Sequence, residues 1–212
     1  MTAQFIFDFR DTSIVGPEVL GGKGFGLSKM PQIGIPVPPG FVVSTDACKV
    51  YYEQGSRLSS EFWQSFNSQL NELEKQTDKQ FGGTTDPLLV SVRSGAPISM
   101  PGMMDTILNI GLNDLSVEAL ALASENRHFA FDSYRRLVQM YGEVVEGIDK
   151  RAYDDVLQLA LKDERVESPM ALSESGLEAL VGSFKKVFEA GVGKPFPQDP
   201  YEQVHRCVMA VF

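Results

Sequence analysis

The sequence predicts an α+β fold, on three observations. Residues 1–113 alternate between short β-branched or aromatic segments and helical patterns, with glycine- and proline-rich turns between them. Residues 114–195 place apolar side chains at helical spacing, which predicts a helical subdomain. Residues 196–212 start a further helix, which we expect to return to the first part and to be truncated. A composition of 43% hydrophobic and 22% charged residues is ordinary for a globular chain.

The first part is predicted to begin with a strand, because aromatic and polar residues alternate over residues 5–9. A glycine-rich segment follows and leads into a helix over about 24–32. Three prolines then fix an extended connection into a short strand at 41–43.

Two helices are predicted next. Ser44 or Thr45 can cap the first of them, which ends near Gly55. The second carries apolar side chains at helical spacing, namely Leu58, Phe62, Phe66, Leu70 and Leu73. We therefore predict that its aromatic residues, with Trp63, are core residues without a chemical role.

Residues 88–113 read LLVSVRSGAPISMPGMMDTILNIGLN and predict two strands around a glycine- and methionine-rich loop. Arg93 ends the first strand, and the strand pattern resumes at Ile107. A guanidinium at a strand end can grip phosphate oxygens in a planar fork, while a glycine loop lets backbone N–H groups approach the same anion. The segment alone also fits a β-hairpin with an ordinary loop and an arginine paired to a surface carboxylate.

A second glycine-rich segment, LGGKGFGLSKM at residues 20–30, places Lys23 among four glycines before a helical stretch. A loop that leads into a helix N-terminus presents backbone N–H groups and the positive end of the helix dipole, which suits phosphate. The segment lacks the Ser or Thr of a Walker A loop and the spacing of GxGxxG. The alternative is a turn chosen for tight backbone packing, with Lys23 in solvent.

The region after residue 113 is predicted to be helical. The apolar face of one helix is formed by Phe129, Leu137, Val138, Tyr141, Val144 and Val145. Further helices are expected near 152–161 and 177–188, and Ser175 with Glu178 has the spacing of a capping box for the second.

The last helix has its own start signal, formed by Asp199, Pro200 and Glu202. Its apolar residues run to Phe212 without a glycine, asparagine or proline stop. We therefore expect the helix to continue beyond the given sequence.

Charge and cysteine content exclude several classes of protein. A net charge of −9 and a pI near 4.8 argue against a nucleic-acid binder, whose surface is basic. Cys48 and Cys207 are too few and too far apart for a disulfide framework or a zinc site. The first residues do not form a signal sequence, and no stretch approaches about 20 apolar residues. We expect a soluble, cytoplasmic protein that binds neither membrane nor nucleic acid.

Six segments together resemble the N-terminal nucleotide-binding region of the pyruvate phosphate dikinase family. They are LGGKGFGLSKM, IGIPVPPGFVVSTDAC, DPLLVSVRSG, SMPGMMDTILNIGLND, FAFDSYRRLVQMYGEVV and FPQDPYEQ. The related phosphoenolpyruvate synthases share the GGK and VRS elements. Their loop after the arginine is methionine-poor, so SMPGMMDT favours the dikinase.

The resemblance implies part of an ATP-grasp fold, with a nucleotide held between this part and a further subdomain. ATP and phosphate would react with a histidine on a separate domain, which carries the phosphoryl group to pyruvate. The products would be phosphoenolpyruvate, AMP and pyrophosphate. The phosphohistidine and pyruvate-binding domains are missing from this chain, so we expect it to be inactive alone. Full-length proteins of the family can form homodimers through regions outside it.

The resemblance also implies site residues. Lys23 and Arg93 would bind the nucleotide phosphates and neutralise charge during transfer, which makes them the catalytic candidates. Arg135 or Arg136 of SYRR would add a further phosphate contact. Pro101, Gly102 and Met103 would form a loop that closes over the polyphosphate.

Magnesium is implied with ATP, but its ligands in the family lie outside this chain. Asp105 is expected to cap or brace the loop rather than to bind metal. His128 stands where the family usually has an arginine, and His205 lies on the last helix. Neither histidine belongs to the phosphohistidine motif, so we assign no catalytic histidine and no metal ligand.

Two alternatives stay open. Met100, Met103 and Met104 either form a mobile lid beside Arg93 or pack on the body of the domain, as methionine often does. The chain is either the ATP-binding piece of a dikinase or a naturally short homologue that binds a nucleotide without catalysing transfer.

Overall fold

The computed structural model describes residues 4–10, 15–95 and 106–212. Contacts divide the chain into two compact units. The first holds the described residues of Met1–Asp78 and Ser94–Met104, and the second holds those of Lys79–Arg93 and Asp105–Phe212. The predicted division at residues 113 and 195 stays a prediction about the larger fold.

The first unit combines a two-stranded sheet with helices. Its strands pair antiparallel, with Ile6 opposite Val43. In chain order its elements are β1 (Ile6–Asp8), α1 (Pro17–Lys29), a 3₁₀ turn (Pro31–Ile33), β2 (Phe41–Val43), α2 (Thr45–Glu53) and α3 (Ser60–Thr77).

Helix α3 supplies the core of this unit, as its apolar spacing predicts. Phe62 and Phe66 are buried, and Phe66 meets Phe41 of β2 edge to face. Trp63 is only half-buried, although its ring packs on both of its phenylalanine neighbours.

Helix α2 is capped by Ser44, whose hydroxyl accepts a hydrogen bond from the amide of Ala47. The hydroxyl of Thr45 instead donates to the carbonyl of Glu18 at 2.6 Å. The structure therefore selects Ser44 from the two predicted caps.

The second unit contains two small sheets and most of the helices. Its elements are β3 (Gln80–Phe81), β4 (Pro87–Leu88), β5 (Val90–Arg93), β6 (Thr106–Ile110), α4 (Ser116–Ala123), α5 (Arg127–Val144), α6 (Lys150–Glu164), a 3₁₀ turn (Pro169–Ala171), α7 (Glu174–Val192) and α8 (Pro200–Ala210). Strands β3 and β4 are parallel, whereas β5 and β6 are antiparallel. The mixture of helices and small sheets is that of the predicted α+β class. Helix α8 ends at Ala210, whereas the apolar pattern predicted a helix that runs through Phe212.

The core of the second unit lies between α5 and α7. Leu137, Val138 and Tyr141 are fully buried on the predicted face of α5. The prediction that Phe129 lies on that face is wrong, because half of its surface is exposed. It precedes Val138 by nine residues, which is two and a half helical turns and brings it to the opposite side.

The start of α7 corrects a second prediction. Ser173, not Ser175, caps the helix, and its hydroxyl accepts from the amide of Gly176 at 2.9 Å. Glu164 determines this choice, since its carboxylate accepts both the amide and the hydroxyl of Ser173 at 2.7 Å. These two hydrogen bonds hold the pKa of Glu164 below its usual value, and the hydroxyl of Ser173 contributes more than its amide.

Replacing Ser173 by alanine is expected to lower the free energy of unfolding by about 1 kcal/mol, the usual effect of losing a cap. Ser175→Ala is the matched control and is expected to change it by less than about 0.5 kcal/mol. Urea titration followed by circular dichroism measures both. A carboxyl group whose pKa is lowered by folding stabilises the folded protein at pH values above its unfolded pKa. The effect of Ser173→Ala should therefore become smaller as the pH drops through the titration of Glu164. A larger loss for Ser175→Ala would contradict the assigned cap.

Among the described residues, none of the helices combines the length and apolarity that crossing a lipid bilayer requires.

Candidate functional site

The glycine-rich segment is part of α1 rather than a loop before it. Pro17 occupies the first turn of the helix, which starts seven residues before the predicted helix start at Gly24. Gly21 breaks the helix with φ 69° and ψ 166°. A new helical segment begins after this kink, with Lys23 in its first turn.

Two of the glycines are explained by close packing. A β-carbon at Gly21 would lie 2.1 Å from the carbonyl oxygen of Gly95, and the positive φ also requires glycine there. A β-carbon at Gly24 would lie 2.9 Å from both methyl groups of Val42, so this glycine lets α1 approach β2. Packing does not explain Gly26, where a β-carbon would meet no atom within 4 Å.

Lys23 is half-buried. Within the described ranges its ammonium group forms no ion pair or hydrogen bond. A cation held near the start of a helical segment without a counter-charge suits an anionic ligand.

Arg93 is the last residue of β5, and its backbone lies opposite Thr106 of β6. The side chain is exposed. In the part of the chain that the structure describes, no carboxylate pairs with it. The alternative interpretation, an arginine paired to a surface carboxylate, therefore gains no support there. Lys23 and Arg93 belong to different units, so their convergence on one phosphate chain stays a prediction.

The structure distinguishes Arg135 from Arg136, which the sequence could not separate. Arg135 is 6% exposed, and each of its three guanidinium nitrogens donates one hydrogen bond within the fold. It donates twice to Oδ1 of Asp132, at 2.7 and 2.9 Å, and once to Gln139 at 3.1 Å. Arg136 keeps 54% of its side chain exposed, and the contact recorded for it among the described residues joins Nε to Oδ2 of Asp132 at 2.9 Å. Its two terminal nitrogens therefore remain available to a ligand.

Replacing Arg135 by methionine is expected to lower the free energy of unfolding by roughly 1.5–3 kcal/mol, because buried hydrogen bonds to a charged group are lost. Arg136→Met, the matched control on the same helix, should cost less than about 1 kcal/mol, since its own side chain is exposed and Asp132 keeps its contact with Arg135. Urea denaturation of both variants measures the difference. Equal losses would show that burial does not separate the two arginines.

Several predicted residues lie outside the described ranges. They are Met100, Pro101, Gly102, Met103, Met104 and Asp105. The closing loop and the bracing role of Asp105 remain predictions.

The two histidines lie apart on α5 and α8. His128 is half-buried, and its Nε2 is enclosed without a hydrogen-bond partner among the described residues. Burial lowers the pKa of His205, and the negative charge of Asp199 partly opposes that shift. The described residues contain no group of three His, Cys, Asp or Glu side chains that could hold a metal.

A cavity of about 210 Å³ lies between α4, α5 and α7, and sequence reasoning missed it. Its lining includes the buried Phe131 and Tyr134. Lys185 and Asp114, which also line it, pair at 2.7 Å, and Arg127 joins the lining residues Glu118 and Glu178. No sequence motif marks it, because the lining residues come from three helices and the turn before α4. Lys185, the cation in its lining, is already paired with Asp114, so the cavity is a poor site for phosphate.

Comparison with known proteins gives one consistent result. Residues 17–79 match a family described as "Pyruvate phosphate dikinase, AMP/ATP-binding domain". The chain is 42% identical over 209 residues to "Pyruvate, phosphate dikinase" of Entamoeba histolytica, which covers 99% of this chain and 24% of that protein. It is 43% identical over 211 residues to the Clostridium symbiosum protein of the same name, with 99% and 24% covered.

A plant relative agrees with these two. "Pyruvate, phosphate dikinase 1, chloroplastic" of Zea mays is 44% identical over 195 residues, or 92% of this chain and 20% of that protein. The predicted resemblance is therefore confirmed. The chain spans about a quarter of the length of the relatives it matches.

Proposed function

We propose that this chain corresponds to the ATP-binding portion of the pyruvate, phosphate dikinases and that it binds ATP within a longer phosphotransferase of that kind. The observation that carries the proposal is an identity of 42–44% that extends over nearly the whole chain. The reaction would use ATP, phosphate and pyruvate, and would give AMP, pyrophosphate and phosphoenolpyruvate. A histidine on a domain outside this chain would carry the phosphoryl group between them.

The residues of this chain would bind and orient the nucleotide. Phosphoryl transfer depends mainly on positioning and on neutralising the charge of the phosphate oxygens. Lys23, Arg93 and Arg136 are cations with unoccupied donors among the described residues, which supports a phosphate contact for each. Pro101, Gly102 and Met103 would cover the polyphosphate and exclude water. We assign Arg135 to the fold, because it is buried and each guanidinium nitrogen already donates to Asp132 or Gln139.

Magnesium, when bound with ATP, would further neutralise the phosphates. The described residues contain no group of three candidate ligands. As the resemblance implies, its protein ligands would lie outside this chain. The same proposal includes an ATP-grasp fold, a homodimer of the full-length protein and a cytoplasmic location. The maize relative, by contrast, is named as chloroplastic.

Two measurements test the proposal. The first is calorimetric titration of this chain with ATP and magnesium chloride, with Lys23→Met as the control variant. The second is phosphoenolpyruvate formation by a chimera in which this chain replaces the matching portion of the Clostridium symbiosum relative. An active chimera supports the dikinase. ATP binding by the chain with an inactive, folded chimera would favour a non-catalytic homologue, and failure of both measurements would overturn the proposal.

A further inference from the structure

The β5–β6 hairpin contains a one-residue irregularity next to Arg93. Val90 lies opposite Ile110, but Val92 lies opposite Ile107, so β6 advances three residues while β5 advances two. Two residues of β6 therefore face one residue of β5, which is the arrangement of a β-bulge. Asn109 lies within the bulge and adopts a left-handed backbone with φ 61°.

The bulge decides which face of the hairpin carries Arg93. Ile107 and Ile110 are both fully buried, although residues three apart on a regular strand point to opposite faces. The extra residue brings both to the buried face and places Arg93 opposite Thr106, on the other face. Without the bulge, Arg93 would lie opposite Ile107, and either the guanidinium would be turned inward or the isoleucine outward.

Side chains from two helices hold this irregular strand. Asn109 Nδ2 donates to the carbonyl of Ser133 on α5 at 3.1 Å. Gln203 of α8, which is fully buried, accepts from the amide of Gly111 at 3.0 Å. Its Nε2 donates to the carbonyls of Leu112 and Pro197, at 2.9 and 2.8 Å.

Gln203 ends the FPQDPYEQ segment, whose other glutamine also binds the backbone that follows β6. Gln198 Oε1 accepts from the amide of Asp114 at 2.9 Å, and the Gln198 carbonyl accepts from Asn113 at 2.9 Å. The segment therefore brackets residues 111–114. Its hydrogen bonds replace the strand ladder where β6 has ended.

We propose that Asn109 and Gln203 are positioning residues that hold the β6 bulge and thereby fix the face on which Arg93 meets phosphate. The phosphate role of Arg93 rests on the proposed function, whereas the control of its direction rests on the hairpin geometry alone. Neither positioning residue touches the nucleotide in this scheme.

Disulfide trapping tests the direction of residue 93 without ATP. Directly opposed antiparallel residues are close enough to cross-link. Arg93→Cys/Thr106→Cys should therefore form a disulfide, and Arg93→Cys/Ile107→Cys should not, as determined by peptide mapping under mild oxidation. Adding Gln203→Met should lower the ratio of the 93–106 disulfide to the 93–107 disulfide about fivefold. This is the change expected when a buried hydrogen bond is lost.

Asn109→Ala provides a second variant, which decides the test if Gln203→Met does not fold. It should lower the ratio more than Asn109→Gly, because glycine retains the left-handed backbone and alanine does not. Leu161→Ala in α6 is the control for general destabilisation and should leave the ratio unchanged. An unchanged ratio in folded Gln203→Met or Asn109→Ala protein would overturn the proposal.

ATP titration separates this inference from the proposed function. Gln203→Met should weaken ATP binding when Arg93 is present and add little in an Arg93→Met background. Additive effects would overturn the link from Gln203 to Arg93. If the disulfide ratio shifts but Arg93→Met does not change ATP binding, the positioning of residue 93 is supported. Its role in binding phosphate is then contradicted.

Discussion

Replacing Arg93 by lysine is expected to weaken ATP binding by this chain, and to lower kcat/KM of the chimeric enzyme, by roughly ten- to hundredfold. Lysine keeps the positive charge but loses the planar fork that can donate two parallel hydrogen bonds to one phosphate. The side chain is exposed at the end of β5, so the substitution should leave the fold intact.

Arg151→Lys is the control for this experiment. Its side chain is 87% exposed and pairs with Asp149 at the start of α6, far along the chain from the predicted phosphate segments. We expect unchanged ATP binding, unchanged turnover and an unchanged melting temperature for that variant. Wild-type activity in Arg93→Lys would remove Arg93 from the phosphate site.

The secondary structure around Arg93 could be predicted because it is locally encoded. β-branched residues on either side of a glycine- and proline-rich loop predict two strands, and both strands are observed. The bulge could not be predicted in the same way. It depends on Gln203, which lies more than ninety residues after Gly111 and reaches it only through the fold.

The cap of α7 shows the same limit at a helix end. Ser175 and Glu178 match the capping-box spacing, but the helix starts at Glu174 because Glu164 holds Ser173. The side chain that decides the boundary comes from the preceding helix. A pattern read within one segment cannot contain that information.

The phosphate contacts were predicted by resemblance, and burial refines them. Arg135 and Arg136 are adjacent and chemically identical, so the resemblance alone does not separate them. Their positions on α5 differ by 100°, which buries one and exposes the other. The helical start at Pro17 was missed because the four glycines indicated a loop, whereas only Gly21 leaves the helical conformation.

Phe196 is expected to make the largest single contribution to the stability of the second unit. Only 2% of its surface is exposed. Its ring packs edge to face on Tyr134, Tyr141 and Phe188, with centroid distances of 6.0, 5.4 and 5.3 Å. It thereby joins the segment before α8 to the interface of α5 and α7.

Phe196→Ala should lower the free energy of unfolding by about 3–5 kcal/mol, because the apolar contacts are lost and the rigid aromatic neighbours leave a cavity. For a chain of this size the melting temperature should fall by roughly 6–20 °C. Phe129→Ala makes the same chemical change at a half-exposed position and should cost less than about 1 kcal/mol. Urea denaturation followed at 222 nm measures both variants. Similar losses for the two variants would contradict the central place of Phe196 in the core. They would also support the original prediction that Phe129 lies on the buried face of α5.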